Sequence, residues 1–121
     1  MKYMLLIYHS EREWNELSEA ERQQLYGEYR KLRGQLQSTG QFLTGSQLQA
    51  TTTATSIRIR GAEALVTDGP FAETHEQLGG YFLMKARDLD EAIAVAKRIP
   101  SARMGTIEVR PLAEGAPEPT S

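Results

Sequence analysis

The chain has 121 residues with a net charge of −2 at pH 7, a length that suits one hydrophobic core and not two. Its 14 basic side chains are interleaved with 16 acidic ones, so neither a phosphate-binding surface nor a nucleic-acid partner is expected. Cysteine is absent, which excludes disulfides, thiol nucleophiles and thiolate metal sites, and no segment has the roughly 20 apolar residues of a membrane-spanning helix.

Two apolar runs predict the centre of a β-sheet. Residues 3–8 and 80–86 are apolar on both alternating faces, as in strands that are covered on both sides. Residues 57–60 and 107–110 alternate apolar with charged side chains, which is typical of strands with one face against the core and one in water. We expect the first pair to be neighbouring central strands and the second pair to lie nearer an edge.

Two helices are indicated by capping residues and by apolar stripes. Ser18 with Glu21 forms a capping box, and the helix is predicted to end before Gly40. The second helix is predicted from Asp88 to Pro100, because proline cannot continue a helix. The predicted buried stripes are Leu25, Tyr29, Leu32 and Leu36 in the first helix and Leu89, Ala92, Ile93, Ala96 and Ile99 in the second.

The order of elements predicts an α+β fold of the ferredoxin-like type. A strand, a long helix and a strand at residues 42–49 are followed by a hairpin of residues 56–60 and 64–67 around Gly61, and then by strand, helix and strand. This is a split βαβ pattern with an inserted hairpin. Residues 1–112 form the predicted domain, and residues 113–121, rich in Pro, Gly and Glu, form a predicted disordered tail. With residues 1–8 interpreted as a strand and not a signal peptide, the cytoplasm is the expected location.

The most distinctive segment is residues 67–81, which read TDGPFAETHEQLGGY. One interpretation of its start is a turn in which Gly69 takes a positive φ and Phe71 enters the core. The other makes Asp68 a catalytic acid or base, which requires a pKa raised by burial and a partner within hydrogen-bond reach. Gly79 and Gly80 favour a bulge or a close backbone approach over phosphate binding.

Candidate catalytic residues gather where the first strand ends. Antiparallel central strands place His9 beside Gly79 and Gly80, and we expect His9, Asp68, His75 and Arg103 to be neighbours at that edge. His9 and His75 are the two histidines, the side chains that titrate naturally near neutral pH. Each is either a base acting on a small organic acid or a solvated loop residue.

Further side chains are candidates for ligand binding. Arg103 either holds a substrate carboxylate or pairs with an acid such as Glu108. Trp14 and Tyr8 either form an aromatic wall for a planar ligand, or Trp14 is a packing plug near a helix entry. Residues 10–13 are expected to form an exposed connection. No metal site and no cofactor are predicted.

Residues 67–81, together with MKYMLLIY at residues 1–8 and IEVRP at residues 107–111, resemble the YCII-related family and its DGPF signature. The resemblance implies a dimeric α+β barrel, in which two ferredoxin-like sheets pack face to face and leave a cleft between the subunits. Relatives of this fold include isomerases and a dehydrochlorinase that act on small ring compounds. In the enzyme-like branch a His–Asp pair lies near the first helix, and the matching positions here hold Tyr29 and Ser38.

Two functional hypotheses follow from the residues and the resemblance. The first is a homodimeric enzyme that uses proton transfer, as an isomerase or lyase does, on a small organic acid or ring compound in the cleft. The second is a noncatalytic ligand-binding or regulatory module, since genes of the DGPF type are often associated with alternative sigma factors. The first requires an ionisable group perturbed by burial in a concave pocket, and the second does not.

Overall fold

The computed structural model describes residues 1–113, so the predicted tail, apart from Ala113, lies outside the described residues. The strands are β1 (Lys2–His9), β2 (Phe42–Gln47), β3 (Thr55–Arg60), β4 (Glu63–Asp68), β5 (Gln77–Lys85) and β6 (Thr106–Pro111). The helices are α1 (Glu11–Glu16), α2 (Glu19–Ser38) and α3 (Leu89–Ala96), with short 3₁₀ turns at Thr51–Thr53 and Pro100–Arg103. Over the described residues no helix has the length and apolar character needed to span a membrane.

The strands form one four-stranded antiparallel sheet in the order β2-β5-β1-β6, and β3 and β4 form a separate two-stranded hairpin. The prediction that β1 and β5 are neighbouring central strands is confirmed, and so is the edge position of β6. This order agrees with the predicted ferredoxin-like, split βαβ arrangement with an inserted hairpin.

The hydrophobic core lies on one face of the sheet. Side chains alternate along a strand, so Leu5 and Ile7 of β1 and Phe82 of β5 share the face that packs against the helices. The helices contribute the buried residues Leu32, Leu36, Ala92, Val95 and Ala96. The alternate residues of β1, which are Met4, Leu6 and Tyr8, are half-buried on the opposite face.

The helix caps are those that the sequence predicts. Ser18 Oγ accepts a hydrogen bond from the Glu21 amide at 3.1 Å, and Glu21 Oε1 accepts one from the Ser18 amide at 2.8 Å. Gly40 follows α2 with φ of 73°, a conformation that favours glycine. Asp88 Oδ1 caps α3 by accepting from the Glu91 amide at 2.9 Å.

The predicted end of α3 is wrong. The helix ends at Ala96 and a separate 3₁₀ turn begins at Pro100. Ile99 precedes the proline and is extended, with φ of −69° and ψ of 123°, because the proline ring disfavours helical backbone in the residue before it. Leu89, predicted to lie in the buried stripe, is 48% exposed.

Residues 10–13 are not the exposed connection that we expected. Together with residues 14–17 they belong to the capped helix α1, and Ser10 Oγ caps it by accepting a hydrogen bond from the Glu13 amide at 3.3 Å. The helix is too short to carry an apolar stripe, so its capping residue is its main sequence signal.

The hairpin and the loop after it depart most from expectation. Ile57 and Ile59, predicted to face the core, are 65% and 67% exposed. Phe71, predicted to fill the core, is 79% exposed, although Gly69 does take the predicted positive φ of 97°. The physical reason is that the hairpin is not paired with the main sheet, and residues 1–113 leave its apolar side chains exposed.

Candidate functional site

A cavity of about 160 Å³ lies between α2 and the helix-covered face of the sheet. Its floor is formed by the ends of β1 and β5, and one wall is formed by α2. The residues that line it are Ile7, His9, Trp14, Tyr26, Tyr29, Arg30, Arg33, Ser46, Gln47, Gly79, Gly80, Phe82 and Ser101.

His9 is the last residue of β1 and is only 8% exposed. The close approach predicted for Gly79 is present, because a Cβ atom built on Gly79 would lie 2.9 Å from Nδ1 of His9 and closer still to its Cε1. The β1 to β5 register also shifts between Ile7 and Tyr8, which leaves Gly79 out of the pairing. Glycine at this bulge thus makes the space in which the imidazole lies.

Trp14 covers the other side of His9. The two rings are stacked, with centroids 5.2 Å apart and planes at 28°. Trp14 also meets Tyr26 of α2 edge to face, at a centroid separation of 5.8 Å. The short helix α1 therefore places an aromatic lid on the histidine, a role that combines the two interpretations of Trp14.

The Nδ1 atom of His9 is buried and has no hydrogen-bond partner among residues 1–113. Burial lowers the pKa of His9, and the negative charges of Glu11 and Glu76 oppose this in part. Desolvation disfavours the charged imidazolium. The ring is consequently held neutral over a wider pH range than a solvated histidine, as a general base requires.

Tyr29 and Ser101 form a polar pair in the same cavity. The Tyr29 hydroxyl donates to Ser101 Oγ at 2.6 Å, and burial is the main cause of a raised pKa for Tyr29. The tyrosine therefore stays protonated and is a hydrogen-bond donor. Sequence reasoning found Tyr29 as a core-facing residue but not as a site residue, and Ser101 gave no signal.

Arg30 and Arg33 contribute cationic groups to the cavity lining and are exposed to solvent. Neither guanidinium has an ion-pair partner among the described residues. The sequence gave no reason to select them, because both lie in a run of charged helix residues. Only the fold shows that they flank an apolar cavity.

The other predicted site residues are not brought into this cavity. Arg103 forms an ion pair with Glu28 at 2.6 Å, which agrees with the expected structural pairing with an acid, although the acid is Glu28 and not Glu108. The Pro100–Arg103 turn contacts α2. Asp68 is exposed and faces Thr55 across the hairpin.

His75 is exposed in the loop that follows the hairpin. The charges that act on His9 are those of Glu11 and Glu76, and neither Asp68 nor His75 lines the His9 cavity. Among residues 1–113 no group of three or more His, Asp or Glu side chains is arranged to hold a metal ion.

Tyr8 lies on the opposite face of the sheet from His9, because consecutive strand residues alternate. Its hydroxyl donates to Glu108 Oε1 at 3.3 Å, and burial together with the Glu108 carboxylate raises the pKa of Tyr8. The predicted aromatic wall of Tyr8 and Trp14 is therefore absent from the cavity. Trp14 and Tyr26 form the aromatic wall instead.

Comparison with known proteins adds a family match to this geometry. A family model described as the YCII-related domain matches residues 1–115. The chain is also similar to an uncharacterized protein of Rhizobium meliloti (strain 1021), with 35% identity over 115 residues that cover 93% of each chain.

Proposed function

The chain belongs to the YCII-related domain family, and from that premise we propose that it binds a small ring compound with an acidic group in the His9 cavity and transfers a proton there. The observation that carries the proposal is the buried Nδ1 of His9, which has no hydrogen-bond partner among the described residues. A buried polar atom without a partner costs free energy, and such a residue in a cavity wall is typical of a functional site.

The size and chemistry of the cavity support a ring acid. Its volume of about 160 Å³ is close to that of cavities that hold a single benzene ring. The rings of Trp14 and Tyr26 offer an apolar aromatic wall, while Arg30 and Arg33 offer guanidinium groups suited to a carboxylate. A monocyclic carboxylic acid satisfies all three features at once.

The proposed chemistry uses His9 as the single acid–base group. The neutral imidazole takes a proton from a carbon of the bound ring, and the electron pair left behind delocalises toward the carboxylate. The imidazolium then returns the proton to a different carbon, which gives an isomer with no net change of charge. We assign this role to His9 and not to Asp68, because Asp68 is exposed on the hairpin.

We further propose that the protein acts as a homodimer that covers the open face of the main sheet. Met4, Leu6 and Tyr81 are half-buried on that face, and the core helices lie on the other one. In a two-fold dimer the same face of a second copy supplies the missing layer.

A noncatalytic ligand-binding or regulatory module is the second candidate. The observation that favours it is that the cavity lining contains no carboxylate, so His9 has no acid–base partner in the cavity. In this alternative the same ring acid binds but does not react.

Binding and turnover are tested separately. Benzoate is the first probe, and its binding is followed by the fluorescence of Trp14, the single tryptophan of the chain. We expect saturable quenching, weakened about tenfold or more in the double variant Arg30→Gln with Arg33→Gln. The matched control is Arg87→Gln with Arg98→Gln, which removes two arginines from a different groove beside α3.

Turnover is followed by hydrogen-to-deuterium exchange at carbon in a panel of unsaturated monocyclic acids, observed by NMR in D₂O. Exchange that is lost in His9→Gln and kept in His75→Gln supports the proton-transfer proposal. Saturable binding without exchange supports the noncatalytic candidate. If no acid in the panel binds and none exchanges, both candidate functions are contradicted.

A further inference from the structure

The His9 cavity contains a pair of bonded hydroxyl groups that the proposed chemistry does not use. The Tyr29 hydroxyl donates to Ser101 Oγ at 2.6 Å, and both residues line the cavity. Ser101 is only 2% exposed. The Tyr29 ring packs edge to face on Phe82, at a centroid separation of 6.1 Å. The pair is therefore held at a defined place in the cavity wall.

The fold keeps this pair beside the end of β1. The Gly105 amide donates to the Ser101 carbonyl at 2.8 Å, and a Cβ atom built on Gly105 would lie only 3.0 Å from the Cα of His9. Glycine at this position allows the Pro100–Arg103 turn to pack directly against the strand. Ser101, and the Tyr29 hydroxyl bonded to it, are thereby held close to His9.

The charged groups of the lining lie at a different place from the hydroxyl pair. Arg30 and Arg33 are exposed, whereas Ser101 is buried. Tyr29 and Arg33 are four residues apart on α2, so they share one face of the helix and are separated by about 6 Å along its axis. One bound ring can therefore keep its carboxylate beside the exposed guanidinium groups while its far side meets the hydroxyl pair.

The hydroxyl pair has hydrogen-bonding capacity left for a ligand. A hydroxyl group can donate one hydrogen bond and accept two, and among residues 1–113 the bond to Tyr29 is the one hydrogen bond of the Ser101 hydroxyl. Burial raises the pKa of Tyr29, so both groups are neutral near pH 7. A buried neutral pair suits an uncharged oxygen and not a second carboxylate.

We infer that the Tyr29–Ser101 pair binds a hydroxyl substituent of the ring, so that the ligand is a hydroxy-substituted monocyclic carboxylic acid. This inference rests on the proposed function of the His9 cavity and narrows its ligand class. A ring hydroxyl can both accept from the pair and donate to it. A ring without that oxygen would cover the same two groups and leave these bonds unmade. Sites that bond a substrate hydroxyl discriminate against the analogue that lacks it.

The test compares benzoate with its meta-hydroxy and para-hydroxy derivatives by isothermal titration calorimetry. In the wild type we expect the better hydroxybenzoate to bind about tenfold or more tightly than benzoate. Tyr29→Phe removes the hydroxyl and keeps the ring. The preference should then fall below about threefold, while the Kd of benzoate itself stays within about threefold of the wild type.

Tyr3→Phe is the matched control, because it removes the same atom from a tyrosine outside the cavity. Tyr3 is 3% exposed, and its hydroxyl donates to the sulfur of Met1 at 3.6 Å. This variant should keep the wild-type preference. Ser101→Ala removes the other hydroxyl of the pair and should also reduce the preference. It decides the question if Tyr29→Phe does not fold.

The outcomes that overturn the inference are distinguishable from failure of the proposed function. If none of the three acids binds to the wild type, the proposed function is contradicted and this inference with it. If benzoate binds and neither hydroxybenzoate binds more tightly, the inference alone is overturned. A preference of equal size in the wild type and Tyr29→Phe also overturns it, because the ring hydroxyl would then bond elsewhere.

Discussion

His9 combines a neutral ring with a buried nitrogen that has no partner, and both properties have one cause. Its imidazole lies between the backbone of Gly79 and the ring of Trp14, which keeps water from Nδ1. The same exclusion of water lowers the pKa of the ring. A ligand anion placed beside it would act in the opposite direction and raise the pKa.

The lowered pKa of His9 predicts a pH-dependent stability. In the unfolded chain the histidine has its ordinary pKa of about 6.5 and binds a proton more readily than in the folded protein. The contribution of His9 to the free energy of unfolding is then fully present above about pH 6.5. It is lost as the pH falls through the lower folded pKa of His9, by at most about 1.4 kcal/mol per pH unit. Urea unfolding of wild type and His9→Gln between about pH 7 and pH 5 measures this contribution.

The comparison with His75 controls this experiment. His75 is exposed, so His75→Gln should keep the pH dependence of the wild type. Equal pH dependence in wild type and His9→Gln would contradict the lowered pKa of His9.

The sequence predicted the position of His9 but not its surroundings. Antiparallel pairing of two central strands was enough to place it beside Gly79, because register follows from the apolar runs. Which face of β1 the helices cover could not be predicted, since both faces are apolar. Asp68 does not line the His9 cavity for a related reason: the hairpin that carries Asp68 is not part of the main sheet.

At the scale of elements, capping residues were better guides than apolar stripes. The capping box predicted where α2 begins, and Ser10 with Glu13 marks α1 in the same way. The stripe of α3 extended the predicted helix too far, because Ile99 is buried without being helical. Burial of a periodic residue does not require that the helix continue to it.

The Ser10 cap predicts a link between α1 and the cavity. Ser10→Ala removes the side-chain acceptor of the Glu13 amide and should lower the free energy of unfolding by about 1 kcal/mol. Ser18→Ala, which removes the matching cap of α2, should cost a similar amount. Because Trp14 lies on α1, only Ser10→Ala should also loosen its stack on His9 and shift the tryptophan emission to the red. The same emission spectrum in both variants would show that α1 is held by other contacts.

At the scale of the whole molecule, the two faces of the main sheet differ in what covers them. Doubly apolar central strands predicted that both faces need a cover, and the helices cover the face of Leu5, Ile7 and Phe82. The exposure of Ile57 and Phe71 was not predictable from their patterns. Alternation shows that a strand is amphipathic, whereas the identity of its cover depends on tertiary and quaternary packing.

The proposed homodimer gives the last prediction, which uses two leucines on opposite sides of the molecule. Leu6 is half-buried on the open face of the sheet, and Leu89 is 48% exposed at the start of α3. Leu6→Lys places a charge in the centre of the proposed interface, where an unpaired buried charge is costly. We expect its dimer Kd to rise about a hundredfold.

Leu89→Lys makes the same chemical change away from the proposed interface, so its Kd should stay within about threefold of wild type. Light scattering and sedimentation over a dilution series measure both variants, with circular dichroism as the test of folding. A Kd for Leu6→Lys equal to that of Leu89→Lys would mean that the open face of the sheet is not the dimer interface.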